Sequence, residues 1–385
     1  MAVSILSREV FDLCLGKPAL RSLSVSATVG DALSALKRLG ESYLSLWSCD
    51  HDKSSRISDD CRCVGKVCMV DIICFLCKEE NLRSPAAALR SPLSVLIPKT
   101  PTGIVRHLEP HASLVEAIDL ILEGAQNLVI PIPSQSRRKR LLQKPSSNST
   151  LHNNREYCWL TQEDIIRYLL NSIGLFCPTP INPINTLNVI DPKNILAVQY
   201  DDPASAALPL IFQSLVNHTS VAIVDLDGKL IGEISPFTLN ACDESVSPAI
   251  ATLSAGDLMA YIDCGGPPED LVQLVKDRLE AQNLEAALEL MEEESTITSL
   301  SLCSSSSDEE SGSGRSKSVG SYSARLIRRS EAIVCYPWSS LVAVMIQALA
   351  HRVSYVWVVE EDGSLSGIVT FAAMLKVFRE RLNSL

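Results

Sequence analysis

"DDPASAALPLIFQSLVNHTSVAIVDLDGKLIGEIS", Asp201 to Ser235, and "YPWSSLVAVMIQALAHRVSYVWVVEEDGSLSGIVT", Tyr336 to Thr370, run together without a gap at an offset of 135 residues. Asp227 and Gly228 fall on Asp362 and Gly363, Leu230 on Leu365, Gly232 on Gly367, and Ser235 on Thr370. In each copy apolar residues first recur at three- and four-residue spacing. A β-branched run, an Asp-Gly pair and a second apolar run follow, which reads as helix, strand, tight turn and strand. The Asp-Gly pair supplies the positive φ that a two-residue reversal requires.

The same unit recurs in the N-terminal half with longer hairpin tips. "VGDALSALK" from Val29 matches "LVEAIDLIL" from Leu114, with Ala32, Leu33 and Leu36 against Ala117, Ile118 and Ile121. Strands follow at "YLSLW" and "NLVIPIP", then polar tips, then "GKVCMVDIICFL" from Gly65 and "WLTQEDIIRYLL" from Trp159. The chain is thus an α/β protein of four strand-helix-strand-strand-helix (β-α-β-β-α) repeats. The repeats span 1–80, 81–175 with a polar insertion at 134–156, 191–265, and 326–385. A Pro-rich linker at 176–190, a connecting helix at 266–294 and a Ser-rich insertion at 295–325 separate them; the last has too little apolar content to fold and is expected to be disordered.

Bulk composition narrows the function. With 385 residues, 46% hydrophobic content and a net charge of -11, the chain supports sizeable cores and offers no global attraction to nucleic acid or anionic membranes. Arg8, Glu9 and Asp12 interrupt the span where a secretory signal needs an apolar core, so a cytoplasmic protein is expected, with "RRKR" at 137–140 allowing a nuclear address. Its thirteen cysteines are then expected as reduced thiols. A Gly-rich phosphate loop, Gly-x-Ser-x-Gly and His-Glu-x-x-His are all missing, which argues against an enzyme.

The strand, the Asp-Gly turn, the Gly-x-hydrophobic-Ser/Thr run and an acidic residue three positions on resemble the CBS domain. The four repeats are similar to plant CBS-domain proteins of the CBSX type. That resemblance implies two paired modules, each of two repeats joined through their sheets, with a cleft able to take an adenine nucleotide or S-adenosylmethionine as a regulatory ligand, no required cofactor, and a protein partner such as an enzyme or kinase. A homodimer is compatible with it. A hydroxyl ending a strand and a carboxylate in the first helical turn share one side, where the carboxylate can accept from ribose hydroxyls and the helix N-terminus can face phosphate.

Carried over residue by residue, the second repeat has Thr161 and Asp164, and the first has Asp71 with Cys68 at the hydroxyl place. The third has Ser235 with Thr238, and the fourth Thr370 with Ala373, so the N-terminal module is the expected ligand site and the C-terminal one structural or partner-binding. The alternative role for Asp71, Thr161 and Asp164 is helix capping, worth about 1 kcal/mol. His351, Arg352, Ser235 and Thr370 are weaker phosphate candidates. Cys49, His51, Cys61 and Cys63 form C-x-H and C-x-C across a hairpin, a weak metal candidate that lacks the usual C-x-x-C knuckle. Cys74 and Cys77 do form C-x-x-C, but on an apolar helix, where they serve as small core residues.

Overall fold

The computed structural model describes residues 8–48, 61–97, 105–133, 152–153, 155–263, 267–292 and 331–383. Cys49, His51, the "RRKR" run and the Ser-rich insertion lie outside them.

Four three-stranded sheets are present among these residues. Each has a parallel pair and an antiparallel pair, with the long helix between the first two strands. The strands are β1 (Ser22–Ser24), β2 (Leu44–Ser48) and β3 (Arg62–Val67); β4 (Val105–His107), β5 (Asn127–Ile132) and β6 (Glu156–Leu160); β7 (Ala197–Gln199), β8 (Val221–Val224) and β9 (Leu230–Ile234); β10 (Val334–Cys335), β11 (Tyr355–Val359) and β12 (Leu365–Thr370). The repeat unit expected from sequence is therefore built four times. Gly228 and Gly363 hold φ of +78° and +85°, the left-handed turn position for which glycine is suited.

One detail departs from the gapless alignment. The hairpins of the third and fourth repeats correspond at 135 residues, since Ile223 pairs Gly232 and Val358 pairs Gly367. Their helices, Leu208–Asn217 and Leu341–His351, correspond at 134: Ala207, Ile211 and Ser214 are buried where Leu341, Met345 and Ala348 are. The left-handed caps His218 and Arg352 keep that offset. The extra residue of the fourth repeat lies between cap and strand, where no ladder bond fixes the count.

Each repeat is completed by a segment that precedes its neighbour. Glu9 bridges to Ser113 and Thr28 to Pro92; Pro183 bridges to Ser340 and Pro203 to Ser254. Thus the segment leading into repeat 1 lies on repeat 2 and the reverse, and repeats 3 and 4 exchange likewise. Helix α1 (Val10–Cys14) packs on β5 and β6, and Leu20 donates to the Tyr157 carbonyl at 2.8 Å. The Pro-rich stretch is accordingly no slack linker: Phe176 and Ile184 are fully buried, and the Ile184 N–H donates to Ser339 at 2.9 Å.

Sheets join repeats within a module, and helices join the modules. Trp47, Cys63, Val129 and Tyr157 form a small core between the first two sheets. One large core merges repeats 1 and 3, the other repeats 2 and 4. Polar ties reinforce both seams: the Met69 N–H donates to Asn240 Oδ1 at 3.0 Å, and Arg379 grips Asp119 at 2.6 and 3.0 Å. The connecting segment forms helix Glu269–Ala281 and a second helix over 285–292, whose Val275, Leu279, Ala287 and Met291 join the repeat 1/3 core.

Candidate functional site

At each strand-to-helix junction the predicted hydroxyl and carboxylate positions face one another. In repeat 2 the Thr161 and Asp164 side chains close a reciprocal cap on helix Gln162–Asn171: Asp164 Oδ2 accepts from the Thr161 N–H at 2.8 Å and from its hydroxyl at 2.6 Å, and Thr161 Oγ1 accepts from the Asp164 N–H at 3.3 Å. The same Oδ2 also takes the Lys17 ammonium, which bonds the Trp159 carbonyl at 2.8 Å. Lys17 arrives on the exchanged lead-in, so the carboxylate of repeat 2 is held by the chain's own cation.

Repeat 1 is arranged differently. Asp71 Oδ2 accepts the Cys68 N–H at 2.8 Å and starts helix Met69–Leu76. Burial raises its pKa, partly opposed by the Cys68 backbone bond and by Lys66. Lys66, on β3, lies over the Tyr43 ring at 4.5 Å from its centroid, and its own pKa is lowered by burial. Tyr43 retains 44% of its surface accessible, yet burial first, then Cys68, Asp71 and Glu163, push its hydroxyl pKa up. Tyr43, Lys66 and Asp71 thus cluster at the start of helix Met69–Leu76, with Glu163 of repeat 2 near enough to act on the Tyr43 hydroxyl.

Repeat 3 contributes to the same cluster. His218 sits at φ +54° as the left-handed cap of helix Leu208–Asn217. Burial, then Lys66, lowers its pKa to about 3, against which the Gln126 backbone of repeat 2 acts. Its Nε2 is buried without a hydrogen-bond partner, and the neighbouring Thr219 Oγ1 is too. From repeat 4, the Ser354 hydroxyl donates to the His218 carbonyl at 2.5 Å. Repeats 1, 2 and 3 thus meet in one cluster around Lys66. It combines a carboxylate able to accept from a diol, an ammonium, and a neutral imidazole with one open nitrogen.

In the C-terminal module the chain's own side chains fill the corresponding place. Glu233 stands two residues before Ser235, as Lys66 does before Cys68, and is 4% exposed. It accepts from the Tyr355 hydroxyl at 2.8 Å and from Trp357 Nε1 at 2.7 Å. Ser235 Oγ accepts from the Phe237 N–H at 3.2 Å and Thr370 Oγ1 from the Ala373 N–H at 3.2 Å, so both hydroxyls cap helices. The two hairpin tips are tied by Leu230 N–H to Gly363 and Leu365 N–H to Gly228. Arg352 is the exposed left-handed cap after Leu341–His351, and His351 is exposed beside it.

Of the metal candidates, the Cys63 thiol is buried and donates to the Gly65 carbonyl at 3.4 Å, while its N–H donates to His107 Nε2 at 3.1 Å. Cys61 is half-buried, and among the described residues no group of three or more side chains suits a metal ion. Burial pushes the Cys74 thiol up and that of Cys77 to about 12, as core residues. Lys17, Tyr43, Lys66 and His218 were absent from the sequence-based candidates. Lys66 carried a signal, a lone charge between the apolar residues of "VGKVC"; His218 carried none locally.

No protein-family model matches the chain. Over 397 aligned residues spanning all of both chains it is 49% identical to the CBS domain-containing protein CBSX5 of Arabidopsis thaliana. It is 21% identical to the SNF1-related protein kinase regulatory subunit gamma-like PV42b of the same plant, covering 98% of this chain and 96% of that one. Among solved structures, protein MJ1225 from Methanocaldococcus jannaschii aligns over 96% of this chain and all of its own with a TM-score of 0.55 and 15% identity, which supports the fold. Four β-α-β-β-α repeats in two sheet-paired modules, with a full-length relative of that kind, place the chain in the family of CBS-domain proteins of the CBSX type.

Proposed function

We propose that the protein is a non-catalytic regulator whose cluster around Lys66 of repeat 1 takes an adenosine-containing ligand, namely ATP, ADP, AMP or S-adenosylmethionine, and whose occupancy modulates a partner protein. The supporting observation is the juxtaposition of Asp71, Lys66 and the open Nε2 of His218. Asp71 accepts from the ribose diol, and Lys66 with His218 faces phosphate, which favours a phosphorylated ligand over the cationic sulfonium. Because three repeats meet at the cluster, a ligand that bridges them shifts the modules by its differential affinity for the closed arrangement. Asp164, already bonded to Lys17, is assigned a structural role.

The test is thermal denaturation with each of the four compounds. At a hundredfold excess over Kd the ligand adds about 2.7 kcal/mol, so wild type shifts and Asp71→Ala does not. No shift with any compound defeats this reading. It would leave a ligand-free scaffold tuned through the Ser-rich insertion, a second reading favoured by likeness to a gamma-like kinase subunit.

A further inference from the structure

Cys14 and Cys158 are 144 positions apart in the chain, yet α1, which carries the first, packs on β6, which carries the second. Cys14 ends α1 on the exchanged lead-in of repeat 1, and Cys158 lies mid-strand in β6 of repeat 2. Both belong to one core cluster, 2% and 1% exposed. Gly65, Gly232 and Gly367 occupy the strand place that Cys158 holds in repeat 2. At Gly367 the lead-in crosses so closely that an added Cβ would stand 2.4 Å from Ile190 Cγ2. In repeat 2 the corresponding strand position is a cysteine, and the lead-in that packs on it brings another.

We propose that Cys14 and Cys158 are an oxidisable dithiol whose disulfide ties the lead-in of repeat 1 to the sheet of repeat 2. The Cys158 thiol bonds to the Cys14 sulfur, and with the Lys17 ammonium this outweighs burial and the Asp164 charge, holding Cys14 below the ordinary thiol range. The same contact, then burial, pushes the Cys158 thiol up, and burial pushes up Cys63, Cys68, Cys74, Cys77 and Cys335. With a hydroperoxide as oxidant, the Cys14 thiolate attacks one oxygen and the O–O bond breaks. Cys158 then attacks the sulfenic acid, the S–S bond forms and water leaves. For hydrogen peroxide, two thiols lose two electrons and two protons and one peroxide becomes two waters. Access comes through α1, which has five residues, no side-chain cap, and an exposed Leu15 after it.

The disulfide fixes the segment that carries Lys17 to Asp164, three residues beyond Cys14. It does not depend on the ligand assigned to repeat 1. The test treats the full-length protein with hydrogen peroxide and maps thiols by alkylation and peptide mass, with exposed Cys177 as the internal control. A Cys14–Cys158 peptide that dithiothreitol releases and a higher melting temperature are expected, both lost in Cys158→Ser. Because mapping is done on wild type, a variant that fails to fold does not obscure the result. Complete oxidation of Cys177 with both buried thiols still alkylatable, or Cys14 oxidised to sulfinic acid without a cross-link, overturns the proposal.

Discussion

Acidification should weaken the protein through His218. Its folded pKa is depressed to about 3 from 6.5, so the unfolded chain takes up a proton that the folded one refuses. The stability of the neutral imidazole is full above about pH 6.5 and is lost as pH falls toward the folded value. Between pH 6.5 and 5 that amounts to about 2 kcal/mol, since each unit is worth about 1.4 kcal/mol per proton. His107, lowered by burial, slopes the same way, and Asp71, raised by burial, acts oppositely lower in the range. The comparison is therefore His218→Asn against wild type, asparagine being tolerated at the left-handed φ of +54°. Urea denaturation at half-unit pH steps should show the wild-type slope flattened in the variant by that amount. Saturating ATP should flatten it in wild type too, because a phosphate pairs with the imidazolium. Identical slopes in both proteins without ligand would refute the assignment of His218 as a buried, neutral group.

Lys17→Met and Asp164→Asn, combined in a double-mutant cycle by chemical denaturation, should show a coupling of about 1–2 kcal/mol that shrinks with salt, since the pair is only about one-fifth exposed. Gly367→Ala should lower stability by about 1–3 kcal/mol because the new methyl meets Ile190, whereas Gly65→Ala, with nothing within 4 Å, should change the denaturation midpoint little. Glu233→Ala strands the Trp357 indole N–H inside the module and leaves the Tyr355 hydroxyl only its 3.5 Å contact with Ser235; a loss of roughly 2–3 kcal/mol, with altered tryptophan fluorescence, is expected.

Local patterns made the repeats legible. The helix phase at Ala32, Leu33 and Leu36, the Asp-Gly turns and the apolar runs of the hairpin strands each follow from short-range geometry. The one-residue slip between the third and fourth repeats was hidden because a gapless match in the strands carries no information about the loop before them. Exchange of the lead-in segments was illegible for a different reason: Glu9 meets Ser113, and nothing near Glu9 specifies that distant partner. The site divides the same way. Asp71, Thr161 and Asp164 stood out because cap and ligand carboxylates share a spacing. Only the packed chain separates them, by bringing Lys17 across to Asp164 and His218 toward Lys66.

The most direct test of the ligand assignment is titration calorimetry of ATP and AMP into wild type, Asp71→Asn and Asp164→Asn. Binding in wild type and Asp164→Asn that disappears in Asp71→Asn is the predicted result. Binding that survives in Asp71→Asn and is lost in Asp164→Asn would contradict the account and return the site to repeat 2.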